Sequence, residues 1–471
     1  MKISPFSLGT IHFIGIGGIG MSALAEICHS LGLSVQGSDI RHNVNTQRLE
    51  KKGIKVFTTQ KASNLSKANI VVTSSAIKKD NIEYKESLTL GIPTIHRSDL
   101  LAQILRLKWS IAVAGSHGKT TITSLIAHML EIAQLQPTVI NGGIINTYKS
   151  NAHLGSGDWI IAEADESDGS FTKLFPTLGI VSNLDEEHMD HYGSFTDLKN
   201  AFLNFLDNIP FFGCAFLGYD DPDVRNLLPH IKNKKVITYG KHPKADIYAY
   251  NITPKYDGMY FDIQIKNSTD ESFQKITNIY LNMLGDHNIQ NALAAVGIGI
   301  QLGVTESNIR KALSSFEGVK RRLTLLLSCN EKARVYDDYA HHPKEVEATL
   351  KALFPLKKEN PNKRIIAIFQ PHRYSRLSFL FKEFSEAFGL ADKTYILPVF
   401  SAGENPIENI DHTSLATAIS SSFPQSSIFA LGGEEDIFPH ITKDLCEEDI
   451  VVFMGAGSVT SFAANFVKAY K

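Results

Sequence analysis

The sequence predicts an α/β protein built as three successive doubly wound units, and three observations predict it. Short apolar runs alternate with helical apolar spacing along nearly the whole chain. Glycine-rich turns stand where such a run gives way to a helix, at 15–20 and 115–118, and a third turn, 455–457, follows the last run. The length, 471 residues, exceeds what one ordinary core organises.

The first unit is placed at 1–106. Ile11 to Ile16 reads as a strand, followed by Gly17-Gly18-Ile19-Gly20 and a helix from Met21 to Leu31. Ser34 to Gly37 is a second strand, ending at Ser38-Asp39, and Ile70 to Thr73 a third, ending at Ser74-Ser75. Gly15, Gly17, Gly18 and Gly20 spell G-x-G-x-x-G, a turn that sets a diphosphate on a helix N-terminus. Asp39 ends the next strand, about where an acidic side chain meets a ribose hydroxyl. Taken alone the motif reads as NAD binding; a uridine diphosphate group uses the same geometry, and purely structural glycines are the third reading.

A boundary falls at Leu107 to Trp109, where the second unit, 107–318, begins. Trp109 to Val113 reads as a buried strand and Ile122 to Leu130 as a helix. Between them stand Gly115-Ser116-His117-Gly118-Lys119-Thr120-Thr121, a phosphate cradle. Backbone N–H groups face the anion, Lys119 reaches the terminal phosphates and the Thr120 hydroxyl holds Mg²⁺. The general pattern puts a glycine where Val113 stands, so this is a shorter variant. Strands at 159–162 and 178–182 end in polar clusters. Glu163-Ala164-Asp165-Glu166-Ser167-Asp168 supplies carboxylates for a metal nucleotide, and His188 in the second cluster is a candidate ligand or orienting group for a cation. Asp246 to Leu284 alternates polar and apolar residues, which predicts antiparallel strand. His287, Asn288 and Asn291 open the next helix, and their amides suit an adenine edge or a helix cap.

The third unit, 319–471, follows a hinge at Gly318-Val319-Lys320-Arg321-Arg322, whose cations can reach phosphates. Strands are predicted at 334–336, 364–369, 393–397 and 450–454. Two polar clusters end strands here: Asp337-Asp338-Tyr339-Ala340-His341-His342-Pro343 and Gln370-Pro371-His372-Arg373-Tyr374-Ser375-Arg376. Arg373 and Arg376, three apart, share a face if a helix begins there and can clamp a small carboxylate.

Composition narrows the function. Charged residues are 20% and the formal net charge is −2, with no basic block to mark a nucleic-acid surface. Four scattered cysteines, Cys28, Cys214, Cys329 and Cys446, fit neither a zinc site nor a disulfide framework and point to a reducing cytosol. No secretory leader and no apolar run of about 20 residues appear, so a cytoplasmic protein with no membrane partner is expected.

Taken in order, these motifs resemble the Mur ligase family. The resemblance runs from about Ile11 to Gly457 and rests on His12 to Ser22, the phosphate loop, Glu163 to Phe171, Asp337 to Pro343 and Phe369 to Arg376; the last two are similar to the alanine-adding member. It implies a Rossmann-like N-terminal domain for a UDP sugar, a P-loop central ATPase domain and a Rossmann-like C-terminal domain for the amino acid. The implied activity joins L-alanine to the lactyl carboxylate of UDP-N-acetylmuramate through an acyl phosphate, with ATP and Mg²⁺, in peptidoglycan precursor synthesis. By similarity the first glycine loop, with Ser38, Asp39, Ser74 and Ser75, meets the UDP sugar. Lys119, Thr120, Glu163 and His188 serve ATP and Mg²⁺; His287, Asn288 and Asn291 serve the adenine, and Asp338 the nucleotide or the closed hinge. Tyr339, His341, His372, Arg373 and Arg376 meet the amino acid. Lys119, Arg322 and Mg²⁺ offset charge on the transferring phosphoryl group, and His188 is the candidate base. Three departures stand out: Ala340 where the family has Gly, Ser458 where it often has Asp, and Gly285-Asp286 before the adenine motif.

Overall fold

Five short strands, Thr10–Ile14 (β1), Ser34–Ser38 (β2), Lys55–Phe57 (β3), Ala68–Thr73 (β4) and Thr94–His96 (β5), form a parallel sheet in the order β3-β2-β1-β4-β5. The computed structural model describes residues 9–145, 148, 150–255, 257–266, 272–329, 332–358, 362–443 and 445–470. β1 ends two residues before the run 11–16 does, because Gly15 turns the chain at φ +77. The helix after it, Ile19–Ser30, starts two residues early and buries Met21, Leu24 and Ile27.

A second sheet has ten strands: Trp109–Ala114 (β6), Thr138–Ile145 (β7), Ser150–His153 (β8), Trp159–Glu163 (β9), Leu178–Val181 (β10), Cys214–Gly218 (β11), Lys235–Gly240 (β12), Ile247–Lys255 (β13), Gly258–Lys266 (β14) and Phe273–Leu281 (β15). Their order is β15-β14-β13-β12-β11-β10-β6-β9-β7-β8. The phosphate-loop strand β6 is therefore central, parallel to β10 on one side and β9 on the other. The register pairs Val113 with Glu163 and Ala114 with Val181, so three functional segments leave the sheet at one edge. The helix Lys119–Ile132 buries Ile122, Leu125, Ile126, Met129 and Leu130, each worth about 1.5–3 kcal/mol against exposure. Phe171 is 1% exposed and packs on Phe202 and Phe205 of the helix Phe195–Asp207, with ring centroids 4.9 and 5.5 Å away, which anchors the far end of the acidic segment 163–171.

The third sheet contains Thr324–Cys329 (β16), Lys332–Asp338 (β17), Ile365–Phe369 (β18), Lys393–Ile396 (β19), Ser427–Ala430 (β20) and Ile450–Met454 (β21), in the order β16-β17-β21-β18-β19-β20. All its pairings are parallel except β16 with β17. Asp338 and Phe369 both face Met454 in register, which brings the ends of β17, β18 and β21 together.

The chain divides into two compact units. One takes residues through Tyr250 with Asp262–Ile279 and Gln290–Glu317; the other takes Asn251–Phe261, Tyr280–Ile289 and the chain from Gly318 onward. In the first, a single buried cluster joins Ile11, Phe13, Met21 and Leu24 to Ile140, Ala152 and Phe171, so the first two sheets share one apolar interior. Cys28 and Cys214 are buried and Cys446 is exposed, all as free thiols; the Cys329 side chain lies outside the described residues. Among the described residues no helix is long and apolar enough to cross a membrane.

Candidate functional site

Two glycines shape the turn after β6. Gly115 has φ +129, and a Cβ there would stand 2.1 Å from Ser182 Oγ; Gly118, at φ +85, would place one 2.5 Å from Asn291 Oδ1. Only glycine fits either position. The helix begins at Lys119, earlier than the apolar spacing alone suggests, so the turn leads directly into its N-terminus. Lys119 Nζ donates to the carbonyls of Gly115 (2.6 Å) and Ser116 (3.1 Å) and lies 2.8 Å from both oxygens of Glu166. Desolvation opposes its charge, but Glu166, Glu163 and Asp165 outweigh it and raise the pKa of Lys119 above the ordinary lysine value. Burial pushes Glu166 up to about 7 against the pull of Lys119. Asp165 is brought down to about 2: desolvation would raise it, and Lys119 and Arg97 prevail.

The remaining loop contacts are polar and specific. Thr120 Oγ1 donates to Glu163 Oε2 at 2.9 Å, and the same oxygen accepts the Gly142 N–H of β7 at 2.8 Å. His117 Nε2 stands 2.7 Å from Asp185 Oδ2, and Asn183 Oδ1 accepts the His117 N–H. Ser116 Oγ accepts the Asp185 N–H. Thr121 is buried on the first helical turn. His188, left-handed at φ +58, has Nε2 3.8 Å from Glu166 and 3.8 Å from Glu187. These three offer ligand atoms within 4.8 Å of one another. The structure thus groups His188 with Glu166 and Glu187, while Glu163 takes Thr120.

In the first sheet the Ser38 carbonyl accepts the N–H groups of Gly15 and Ile16, and Asp39 Oδ2 accepts the Gly17 N–H at 2.8 Å. Asp39 also accepts the Arg41 N–H, so it holds the loop's backbone. The Ser38 hydroxyl is fully buried and donates to Glu83, so its contact with the loop is made by its backbone carbonyl. Ser74 accepts the Ile77 N–H through its carbonyl. Ser75 Oγ donates to Asp168 Oδ2 at 2.6 Å and lies 3.1 Å from His96 Nε2. Arg97 Nη2 is 3.0 Å from Asp165 and 3.8 Å from Asp168, and Nη1 would lie 2.9 Å from a Cβ on Gly20. The acidic run after β9 therefore borders both the phosphate loop and the first glycine loop. His96 and Arg97 were not singled out by sequence because the strand that delivers them, β5, is three residues long.

In the second unit Asp338 is buried. Its two oxygens accept the N–H groups of Leu323 and Ala340, each at 2.7 Å, and burial raises its carboxyl to about 6. Leu323 and Arg321 both have positive φ, +46 and +65, in the hinge segment. Asp338 thus ties down the strained hinge by backbone hydrogen bonds. Arg321 and Arg322 lie over the Tyr339 ring at 4.6 and 5.3 Å, and Arg322 Nη1 is 3.6 Å from Glu345. Tyr339 meets His341 edge-on at 5.0 Å, and His341 lies 6.3 Å from His372. His372 stacks on Phe400 at 5.4 Å. Desolvation, then the charges of Arg376, His341 and Arg373, lower His372 to about 4, so it is neutral at pH 7. The two arginines do not share a helix face. Arg373 caps the helix Tyr374–Phe379 at φ +70 and only Arg376 is on it. Both charges nonetheless act on His372.

The middle helix Asp286–Gln301 carries the three adenine candidates. Asn288 Nδ2 donates back to the Leu284 carbonyl at 2.8 Å, while Asn291 faces Gly118 of the phosphate loop. Three family models match the chain in series. They are the Mur ligase family catalytic domain over 10–109, the Mur ligase middle domain over 113–299 and the Mur ligase glutamate ligase domain over 321–457. The chain belongs to the Mur ligase family.

Among its relatives, the UDP-N-acetylmuramate–L-alanine ligase of Parvibaculum lavamentivorans is 45% identical, over 98% of this chain and 93% of that protein. That of Rhizorhabdus wittichii is 43% identical over 100% and 98%. The crystal structure of the UDP-N-acetylmuramate–alanine ligase of Thermotoga maritima superposes with a TM-score of 0.81 at 27% identity, covering 98% of this chain and 99% of that one.

Each departure from the Mur ligase pattern has a local account. Ala340 is fully buried in the apolar cluster with Val346 and Leu350, and its φ is not positive, so no glycine is required there. Ser458 exchanges hydrogen bonds with Gln370, whose Oε1 also accepts the Val459 N–H. Gly285 has φ +97 and supplies the turn into the helix at Asp286.

Proposed function

We infer that the chain joins L-alanine to the lactyl carboxylate of UDP-N-acetylmuramate, converting ATP to ADP and phosphate. The observation that carries this reading is the near-full-length likeness to ligases of that name, on a fold that sets a glycine-rich phosphate loop beside a run of carboxylates. A carboxylate oxygen of the sugar nucleotide attacks the γ-phosphorus, the bond to the bridging oxygen breaks and ADP leaves. The amine of L-alanine then attacks the acyl carbon, and phosphate leaves from the tetrahedral intermediate as the amide forms.

Such transfers depend on positioning and charge. Lys119 and Arg322 are the cations assigned to the transferring group; Gly115 to Thr121 cradle the phosphates. Glu163, which takes the Thr120 hydroxyl, and the cluster of Glu166, Glu187 and His188 gather oxygen and imidazole donors that suit a divalent ion. Thr120 and Glu163 would hold Mg²⁺, which would offset the phosphoryl charge, and Glu166, Glu187 and His188 offer a second position. His188 is assigned as the base for the alanine ammonium. Asn291 and His287 are assigned to the adenine; Tyr339, His341, His372, Arg373 and Arg376 to the amino acid; Gly15 to Gly20, Asp39 and Ser75 to the UDP group. We place the domains at 1–106, 107–318 and 319–471, and the protein in the cytoplasm, where its thiols stay reduced.

Phosphate release with UDP-N-acetylmuramate, ATP and each of L-alanine, glycine, L-serine and an alanyl tripeptide tests the reading. Fastest turnover with L-alanine is expected. Faster release with the tripeptide replaces the single amino acid by a peptide, and no release with any of them overturns the ligase assignment.

A further inference from the structure

The first glycine loop is enclosed by side chains that the ligase reaction does not itself call for. Asn45 Nδ2 donates to the Gly17 carbonyl at 2.9 Å, and Arg48 Nη1 donates to Asn45 Oδ1 at 3.1 Å. Arg48 Nη2 then donates to Asn151 Oδ1 at 2.6 Å, and Asn151 Nδ2 donates to the Ile19 carbonyl at 2.7 Å. The four contacts close a ring across Gly17 and Ile19. Four of its five side-chain and backbone stations, Gly17, Ile19, Asn45 and Arg48, belong to the five-stranded sheet's loops and helices. The fifth, Asn151, comes from β8 of the ten-stranded sheet and is 1% exposed.

The ring is well supported. Arg48 Nε bonds Glu26 Oε2 at 3.2 Å, and Glu26, 3% exposed on the helix Ile19–Ser30, also takes Lys52 at 2.5 Å and Ser150 Oγ at 3.3 Å. A buried carboxylate with two cations and a hydroxyl is paired on every side, which keeps the Arg48 fork in one orientation. Ile140 and Ala152 of the hairpin β7–β8 lie in the same buried cluster as Met21 and Leu24. Two residues beyond Ile140, β7 supplies Gly142, whose N–H bonds Glu163 beside Thr120. One hairpin therefore touches Glu163, which takes Thr120 of the phosphate loop, and the first turn of the helix behind the glycine loop.

We propose that Arg48 and Asn151 are positioning residues for the sugar-nucleotide loop, closing a hydrogen-bonded ring through which the hairpin β7–β8 sets that loop in register with the phosphate loop. The proposal rests on the ligase reading for the identity of the ligand. Its physical content is that the Gly20 N–H, at the start of the helix, shares a peptide plane with the Ile19 carbonyl that Asn151 holds, and that Arg48 links this bond to the one Asn45 makes with the Gly17 carbonyl.

Initial rates of the full-length protein, varied separately in UDP-N-acetylmuramate, ATP and L-alanine, test it together with calorimetric titration of UDP and thermal melting. Asn151→Ala is expected to raise the KM for the sugar nucleotide and the Kd for UDP about tenfold, with the KM for ATP within about twofold. Asn151→Asp separates positioning from adhesion. It keeps an acceptor for Arg48 but loses the donor to Ile19, so it must not restore UDP affinity. Arg48→Lys keeps a charge beside Glu26 and loses the fork, so it must resemble Asn151→Ala. Wild-type UDP affinity in Asn151→Ala, or its recovery in Asn151→Asp, overturns the proposal. So does an equal rise in all three KM values that tracks a lowered melting temperature. If the wild type binds UDP yet releases no phosphate with any amino acid, the ligase reading falls and the UDP titrations of the variants still decide the ring.

Discussion

Lys119 and Glu166 form a buried ion pair, Nζ lying 2.8 Å from each carboxylate oxygen, in which the lysine also holds two carbonyls of its own loop. The ammonium is thereby folded over the turn that would receive phosphates, and Glu166 is its counter-charge. Lys119→Ala is expected to abolish ATP-dependent phosphate release; normal turnover would exclude the phosphate-loop assignment. The variant also strands Glu166. Breaking a buried pair costs about 3–5 kcal/mol when the remaining group is charged. Glu166 sits near 7 with its partner present, and without it the folded pKa rises further. Native protein then binds an extra proton, so the variant's stability falls as pH rises through the neutral range. Denaturant melts at pH 6 and pH 8.5 measure this.

Glu163 accepts from both Thr120 and Gly142. Glu163→Gln keeps the shape and removes the charge. A requirement for Mg²⁺ raised about tenfold or more is expected, with the KM for L-alanine little changed. Titration of phosphate release against Mg²⁺ checks it, and an unchanged requirement would remove Glu163 from the metal set.

Arg373 lies 3.8 Å from Glu404 and is half exposed, whereas Arg376 is less exposed and has the larger effect on His372. Arg376→Ala should therefore raise the KM for L-alanine more than Arg373→Ala does, and both should spare the KM for ATP. Equal rises for alanine and ATP in either variant would argue against a carboxylate clamp.

Asp338 titrates near 6 in the fold, above its ordinary 3.8, because burial penalises its charge. A folded pKa above the unfolded one means that the native state holds an extra proton between about pH 4 and 6. Stability from this source is complete below about 4 and is lost as pH rises through 6. A rise of about two units corresponds to about 3 kcal/mol. Asp338→Asn should flatten the pH dependence of unfolding over that interval. It should also loosen the strained hinge at Leu323, whose N–H the carboxylate holds. An unchanged slope between pH 4 and 6 would assign the titration elsewhere.

Much of this was legible in the residues. Strands β1, β6, β18 and β21 are largely apolar runs, and the turns after β1 and β6 declare themselves by glycines whose positive φ no other residue adopts cheaply. The short strands β3 and β5 went unpredicted because three residues carry no periodicity, and with β5 went His96 and Arg97. The hairpin β7–β8 has no clear local signal either, because Asn141, Gly142 and Gly143 inside β7 carry turn chemistry. The pairing of β16 with β17 rests on long-range register, not on a local signal.

Local chemistry determined which residue types stand at strand ends: a lysine and threonine after two glycines, carboxylates after β9, and histidines and arginines after β17 and β18. These follow from backbone demands and hydrophobic spacing, which act over a few residues. Tertiary structure decided which of them meet. Glu166 rather than Glu163 pairs with Lys119 because parallel pairing of β6 with β9 sets Val113 opposite Glu163, and the turn beyond β9 carries the next carboxylate back over the loop. Asn151 reaches Ile19 only because two sheets share one apolar core. Contacts across 47 or 132 positions of chain depend on sheet order and packing, and no local pattern encodes either.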